Sequence, residues 1–223
     1  MNESAFSILG LPVIKHRFDS GLTLLLQPSD RVTICSTHIW VRTGSASDPF
    51  GRSGLAHFFE HLMFTGTSLH AEGELDHWVE ENGGHINAAT WLDWTYYHAE
   101  IPSSILAEFL DYEVDRLKNL TCDPERLERE RQVVLNERRE QVDDDPEATL
   151  SELLWLRALG GSGYSRPTIG SEADIKQLTR ADCLAFYNRA YQSSNLVIAI
   201  SGHFDAKAVI AKIQDGFSHP NDK

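Results

Sequence analysis

The chain has little that would staple it, target it or charge it positively. Only three of its 223 residues are cysteine (Cys35, Cys122 and Cys183), an odd number at wide spacing. That excludes a disulfide framework, and without a C-x-x-C pair the cysteines offer no thiolate metal site. No stretch approaches the ~20 apolar residues that a membrane helix requires. The opening Met1-Asn2-Glu3-Ser4-Ala5-Phe6 has no basic segment leading into an apolar block, so no signal peptide is visible. A cytoplasmic location is therefore expected. Basic character is scarce too: 20 Lys and Arg stand against 33 Asp and Glu, a formal charge of −13. Binding to nucleic acid would need a local basic patch. None is visible, because Arg129, Arg131, Arg138 and Arg139 are interleaved with Glu128, Glu130, Glu137 and Glu140.

What remains is the composition of an ordinary globular protein, long enough for a substantial core. Val13 to Phe18 and Leu22 to Gln27 read as strands around the turn Asp19-Ser20-Gly21, and Thr33 to Arg42 as a third. Ser53 is expected to cap a helix that Gly66 stops. A second helix is expected over Ala71 to Asn82, then strands His85 to Thr90 and Thr95 to Ile101 around a tight turn. Pro102-Ser103 opens a helix to about Asn119. Asp123-Pro124-Glu125 starts another, with a capping aspartate and proline at the first position, running to about Gln141. A leucine-rich helix (Leu150, Leu153, Leu154, Leu156), the loop Gly160-Gly161-Ser162-Gly163, helix Arg180 to Tyr191, strand Asn195 to Ser201 and helix Asp205 to Asp215 complete the chain. Strands and helices mix without strict alternation. The expected fold is α+β, a mixed, largely antiparallel sheet packed against several helices.

One stretch carries chemistry. His57-Phe58-Phe59-Glu60-His61 places two histidines four apart with a glutamate between them. On a helix, positions i and i+4 share a face, so both imidazoles can reach one ion, and Glu60 shares that side. Two neutral imidazoles suit zinc, and a nearby carboxylate suits general-base work. The plain alternative is a pair of half-buried histidines on an amphipathic helix. A third ligand would decide. Glu130 and Glu137 lie two turns apart on one face of the following acidic helix, with Val134 between them, but such a Glu/Arg-rich helix also reads as a solvated face of i,i+4 pairs.

The wider pattern resembles the inverted-motif (H-x-x-E-H) zinc peptidases of the pitrilysin, insulysin and mitochondrial processing peptidase family. Beyond His57 to His61, Asn87-Ala88-Ala89-Thr90 with Thr95 and Tyr96 is similar to the family's substrate-side strand, and Glu130 to Glu137 resembles its third-ligand segment. Pro167 to Gly170 and the strand from Asn195 resemble the end of its first domain. Ser162-Gly163 departs from the His-Pro-like pair the family often has before the tyrosine at Tyr164. The resemblance implies a zinc cofactor (Zn2+) held by His57, His61 and Glu137, Glu60 as general base and Glu130 in support. It also implies Asn87, Ala88 and Ala89 beside an extended peptide substrate.

On the same resemblance, residues 1–223 form a single catalytic domain, and the family's usual second domain is absent from the chain. A complementary subunit or a homodimer partner is expected to supply the other wall of the cavity. The implied activity is zinc-dependent endopeptidase. The alternative is a zinc-binding, non-catalytic or weakly active partner subunit of a two-chain peptidase.

Overall fold

A computed structural model describes residues 2–8 and 10–217. Seven strands form one sheet: β1 (Asn2–Ile8), β2 (Leu11–Arg17), β3 (Thr23–Pro28), β4 (Ile34–Val41), β5 (His85–Thr90), β6 (Thr95–Pro102) and β7 (Leu196–Gly202). Their order is β1-β2-β3-β7-β4-β6-β5, with β3 and β7 parallel and every other pair antiparallel. The sheet is mixed and largely antiparallel, as the strand patterns predict. β1 is an addition, because Asn2 to Ile8 lacks a clear alternation and is held as a strand by pairing with β2.

Eight α-helices accompany the sheet among the described residues: α1 (Leu55–Leu62), α2 (Glu74–Glu81), α3 (Leu106–Asn119), α4 (Pro124–Arg138), α5 (Pro146–Ala158), α6 (Glu172–Gln177), α7 (Arg180–Ala190) and α8 (Ala206–Phe217). The core lies between them and one sheet face. In β4, Cys35, Thr37, Ile39 and Val41 are buried, and their alternates are half-buried. That is the period-2 pattern of a strand with one face on the core. The opposite face carries a band of rings, with Trp40 stacked on Tyr96 at 4.8 Å and His38 on His98 at 5.7 Å. No helix among the described residues is long and apolar enough to cross a membrane.

Several local expectations shift. Ser53 does not cap α1; its hydroxyl donates to Asp174 at 2.5 Å and accepts from the Ser171 amide at 3.0 Å, tying the approach of α1 to α6. The capping residue is Gly54, with φ +86°, and a side chain there would collide with the Ile169 carbonyl. Glycine alone satisfies both demands. The orphan amides of α1 are taken instead by Asp48, whose carboxylate accepts from Gly54 and Ala56 at 2.9 and 3.0 Å. α1 ends at Leu62, before Gly66. The second helix begins at Glu74, later than its pattern suggests, behind Gly73 with φ +73°. α6 has no counterpart in the sequence reading, being a six-residue helix capped by Ser171. After α4, residues Arg139–Asp143 widen into one π-helical turn before Asp145 caps α5.

Candidate active site

α1 is an apolar helix with three polar side chains set into it. Leu55, Ala56, Phe58, Phe59 and Leu62 are buried in the core, leaving His57, Glu60 and His61 on one flank. α4 lies across that flank. Its inward stripe is Leu127, Arg131, Val134 and Arg138, all buried, at spacings of four, three and four. Arg131 donates to the carbonyls of Ile175 and, at 2.7 Å, Leu178. Arg138 reaches the Gly170 carbonyl at 2.5 Å and grips Glu152 with two bonds. Buried guanidinium groups hydrogen-bonded to carbonyl oxygens thus do the anchoring that leucines do on α1. With α4 so fixed, Glu130 and Glu137 face α1.

His57, His61 and Glu137 then each offer a ligand atom within 4.8 Å of the others. Glu137 lies 3.7 Å from His57 Nε2 and 3.4 Å from His61 Nε2. Ligand atoms around a tetrahedral ion with bonds of about 2.0–2.1 Å stand about 3.3–3.4 Å apart, so this donor set suits zinc with little adjustment. Glu130 approaches the other nitrogen of the same ring, His61 Nδ1, at 3.5 Å. A carboxylate on the far nitrogen of a ligating imidazole fixes its tautomer and orientation. Gln141 donates to Glu137 at 3.0 Å and steadies it.

The electrostatics follow from this crowding. Burial, reinforced by neighbouring His61, holds His57 below its usual pKa and so in the neutral form. Burial also works to lower His61, but Glu130 and Glu137 override it and raise the ring to about 9. Hydrogen bonding to His61, with the charge of His57, keeps Glu137 ionised against its own burial. Three donors gathered without an ion compensate one another by holding a proton among them, which a cation would displace.

Glu60 stands beside the donors without belonging to the set. Burial raises its pKa, while a 2.5 Å hydrogen bond from the Thr90 hydroxyl opposes the rise. Thr90 lies at the end of β5, 3.3 Å from the Thr95 hydroxyl, which in turn donates to the Thr43 carbonyl. The sequence reading gave Thr90 no role of its own. The available signal was a threonine at each side of the turn next to the motif strand.

Two clefts flank the donors. One, of about 260 Å³, is lined by Glu60, His61, Phe64, Glu72, Asn87 and Glu130 among others. The other, of about 320 Å³, has His57 and Glu137 in its wall and is otherwise formed chiefly by Trp91, Leu92, Val142, Ala148, Trp155 and Ile169. β5 is the edge strand and runs past both. Asn87 and Ala88 line the first cleft, where the Asn87 carbonyl oxygen accepts from the Ala88 amide at 2.8 Å. Ala89 sits opposite Tyr96 in the ladder and lines neither cleft.

Comparison with known proteins agrees with this arrangement. The chain is 30% identical over 205 residues to an uncharacterized zinc protease of Mycobacterium leprae, covering 92% of this chain and 46% of that protein. It is 30% identical to the mitochondrial-processing peptidase subunit beta of Blastocladiella emersonii, covering 85% of this chain and 40% of that one. The chain thus spans about half the length of the curated relatives it matches. Among solved structures, a protease from Helicobacter pylori superposes with a TM-score of 0.89 at 27% identity, over 93% of this chain and 50% of that one. The first half of the periplasmic protease PqqL from Escherichia coli gives 0.83 at 26% identity, over 95% and 47%. The family model described as insulinase (peptidase family M16) matches residues 24–172, two of the donors' helices included, and the chain belongs to that family.

Proposed function

We propose that this chain is the catalytic half of a zinc-dependent endopeptidase. The observation that carries the proposal is the convergence of His57, His61 and Glu137 from two helices, with Glu60 adjacent but outside the donor set. In this reading the first three hold the metal and Glu60 is the general base. Zinc, when bound, supplies a Lewis acid that polarises a peptide carbonyl and acidifies a water. Glu60, buried and raised in pKa, accepts a proton from the attacking water, which adds to the carbonyl carbon. Glu60 then returns that proton to the leaving nitrogen as the C–N bond breaks, giving a carboxylic acid and an amine. Thr90 holds Glu60 for both transfers, and Glu130 orients His61. The substrate lies along the free edge of β5 by strand addition, with main-chain bonds tolerant of sequence. Asn87 and Ala88 border its path.

A second, complementary half is part of the proposal, either another polypeptide or a further domain. Relatives about twice as long support it, and so does α5, where Leu150, Leu153, Leu154 and Leu156 are all exposed. Glu60→Gln tests the chemistry. The variant should bind one zinc per chain by metal analysis and lose at least about a hundredfold in peptide turnover. Turnover near wild type would refute the role of Glu60. Zinc bound by the wild type without turnover, even beside its complementary half, would favour a non-catalytic partner subunit.

A further inference from the structure

The two clefts beside the donors differ in chemistry, and the difference bears on which peptides fit. In the larger one, every ionised group is already occupied. Glu152 is held by Arg138 at 2.9 and 3.0 Å, and Arg166 spends its guanidinium on the carbonyls of Pro49 and Asp48 at 2.9 and 2.6 Å. The Tyr164 hydroxyl donates to Asp93 at 2.6 Å, and the Gln141 amide to Glu137. What faces the space is the indole of Trp91, the indole of Trp155, and the aliphatic groups of Leu92, Val142, Ala148 and Ile169. At about 320 Å³ the cleft is at the small end of ligand pockets, the scale of one large side chain. The smaller cleft instead presents the carboxylates of Glu60, Glu72 and Glu130.

Two independent lines fix which side of the scissile bond each cleft serves. Glu60 lines the acidic cleft, and the group that returns a proton to the leaving nitrogen must be on the nitrogen's side. The residues after the cut therefore run into the acidic cleft, and the residue before it faces the apolar one. β5 gives the same direction. It passes from Asn87 and Ala88 in the acidic cleft to Trp91 and Leu92 in the apolar one. A peptide added antiparallel to it enters at the Trp91 end and leaves past Asn87.

We infer that the cleft between Trp91 and Trp155 is a specificity pocket for a large apolar side chain on the residue that contributes the scissile carbonyl. Burying such a group there removes apolar area from water without stranding a polar partner, whereas a lysine or aspartate would find no free counter-charge. This deepens the peptidase reading and rests on it for the direction of the substrate.

The test uses three peptides identical except for Phe, Ala or Lys before the intended cut. Binding to the zinc-loaded Glu60→Gln chain and turnover by the wild type are measured in parallel. Phe is expected to exceed Ala by about tenfold or more in both readouts, since even single methylenes in such pockets discriminate at that level. Lys should rank with or below Ala. Ala148→Phe, which fills the cleft, should collapse the Phe-to-Ala ratio, and Trp155→Ala should do so from the opposite wall. Equal binding of the three peptides, preference for Lys, or no binding by any of them overturns the pocket. Selective binding without turnover leaves the pocket standing and defeats the peptidase reading.

Discussion

α1 and α4 face each other across the donor site and are built by opposite means. α1 contributes five buried apolar residues and packs as a core helix with three polar side chains on its flank. α4 buries two arginines and only two apolar residues, and is fastened through guanidinium bonds to backbone carbonyls near α6 and Gly170. Their caps differ in the same way. Asp123 caps α4 from the adjacent position at 3.0 and 3.1 Å. α1 is capped from six residues upstream by a buried carboxylate, over a glycine that tolerates no side chain. The contrast teaches that a ligand can be placed with equal definition by apolar packing or by a polar lattice. The polar lattice depends more heavily on single residues, because removing one donor leaves several buried acceptors unpaired.

The largest effect that could break this contrast is Arg131→Met. Left without partners, the carbonyls of Ile175 and Leu178 should cost about 3 kcal/mol of unfolding free energy, read from urea melts. A loss below about 1 kcal/mol would mean that α4 is held by packing after all. Next comes Glu130→Gln, which leaves the three donors intact but weakens the support of His61. Zinc affinity should fall about 10–100-fold by competition with a chelator, and an unchanged affinity would place Glu130 outside the site. Thr90→Val removes the hydroxyl on Glu60 while keeping its shape. An expected drop of about tenfold in kcat, with zinc content and KM unchanged and Thr90→Ser restoring the rate, would mark a positioning role. A matching loss in the serine variant would point to packing instead.

The smallest effect concerns the cap of α1. Burial pushes Asp48 from 3.8 up to about 7, although the amides of Ala56 and Gly54 and the nearby Arg166 pull the other way. The folded protein therefore keeps a proton that the unfolded chain releases between about pH 4 and 7. Stability from this group is full below pH 4 and is lost as pH rises through about 7. Asp48→Asn should remove that part of the slope, so the urea midpoints of variant and wild type should diverge or converge across this window. Parallel curves would show that Asp48 titrates normally.

The same contrast explains what could be read in advance. The His57 and His61 pair was legible because it sits at helical spacing in an apolar run, where any polar residue stands out. Glu137 was not singled out by pattern, because two of the four inward positions of α4 are arginines and its charged residues look alike from outside. Only the family resemblance separated it. The strands were legible by alternation, yet Ser53 misled as a cap because the true acceptor, Asp48, reaches its amides through the fold. Thr90 stayed silent for the same reason: its contact with Glu60 spans 30 positions. Asn87 and Ala88 were placed beside the cleft by resemblance, while Ala89, in the same tetrapeptide, turns elsewhere in the ladder.

The position of β7 carries a consequence for how the site comes into being. β3 and β4 are consecutive in the chain but do not pair; β7, made some 155 residues after β4 ends (196 − 41 = 155), is inserted between them. The hairpin strands β1 to β3 and the wall formed by β4, β6 and β5 are thus joined through a strand that a ribosome delivers after both histidines and Glu137. Loop-closure entropy must be met before that insertion is rewarded, so assembly should be slow relative to a protein of local contacts. A nascent chain stopped short of Leu196 carries all three donors and Glu60, yet lacks the central strand that sets β4 and β6 against the rest. The protease-like chemistry is therefore withheld from the growing chain until the sheet is closed at its middle.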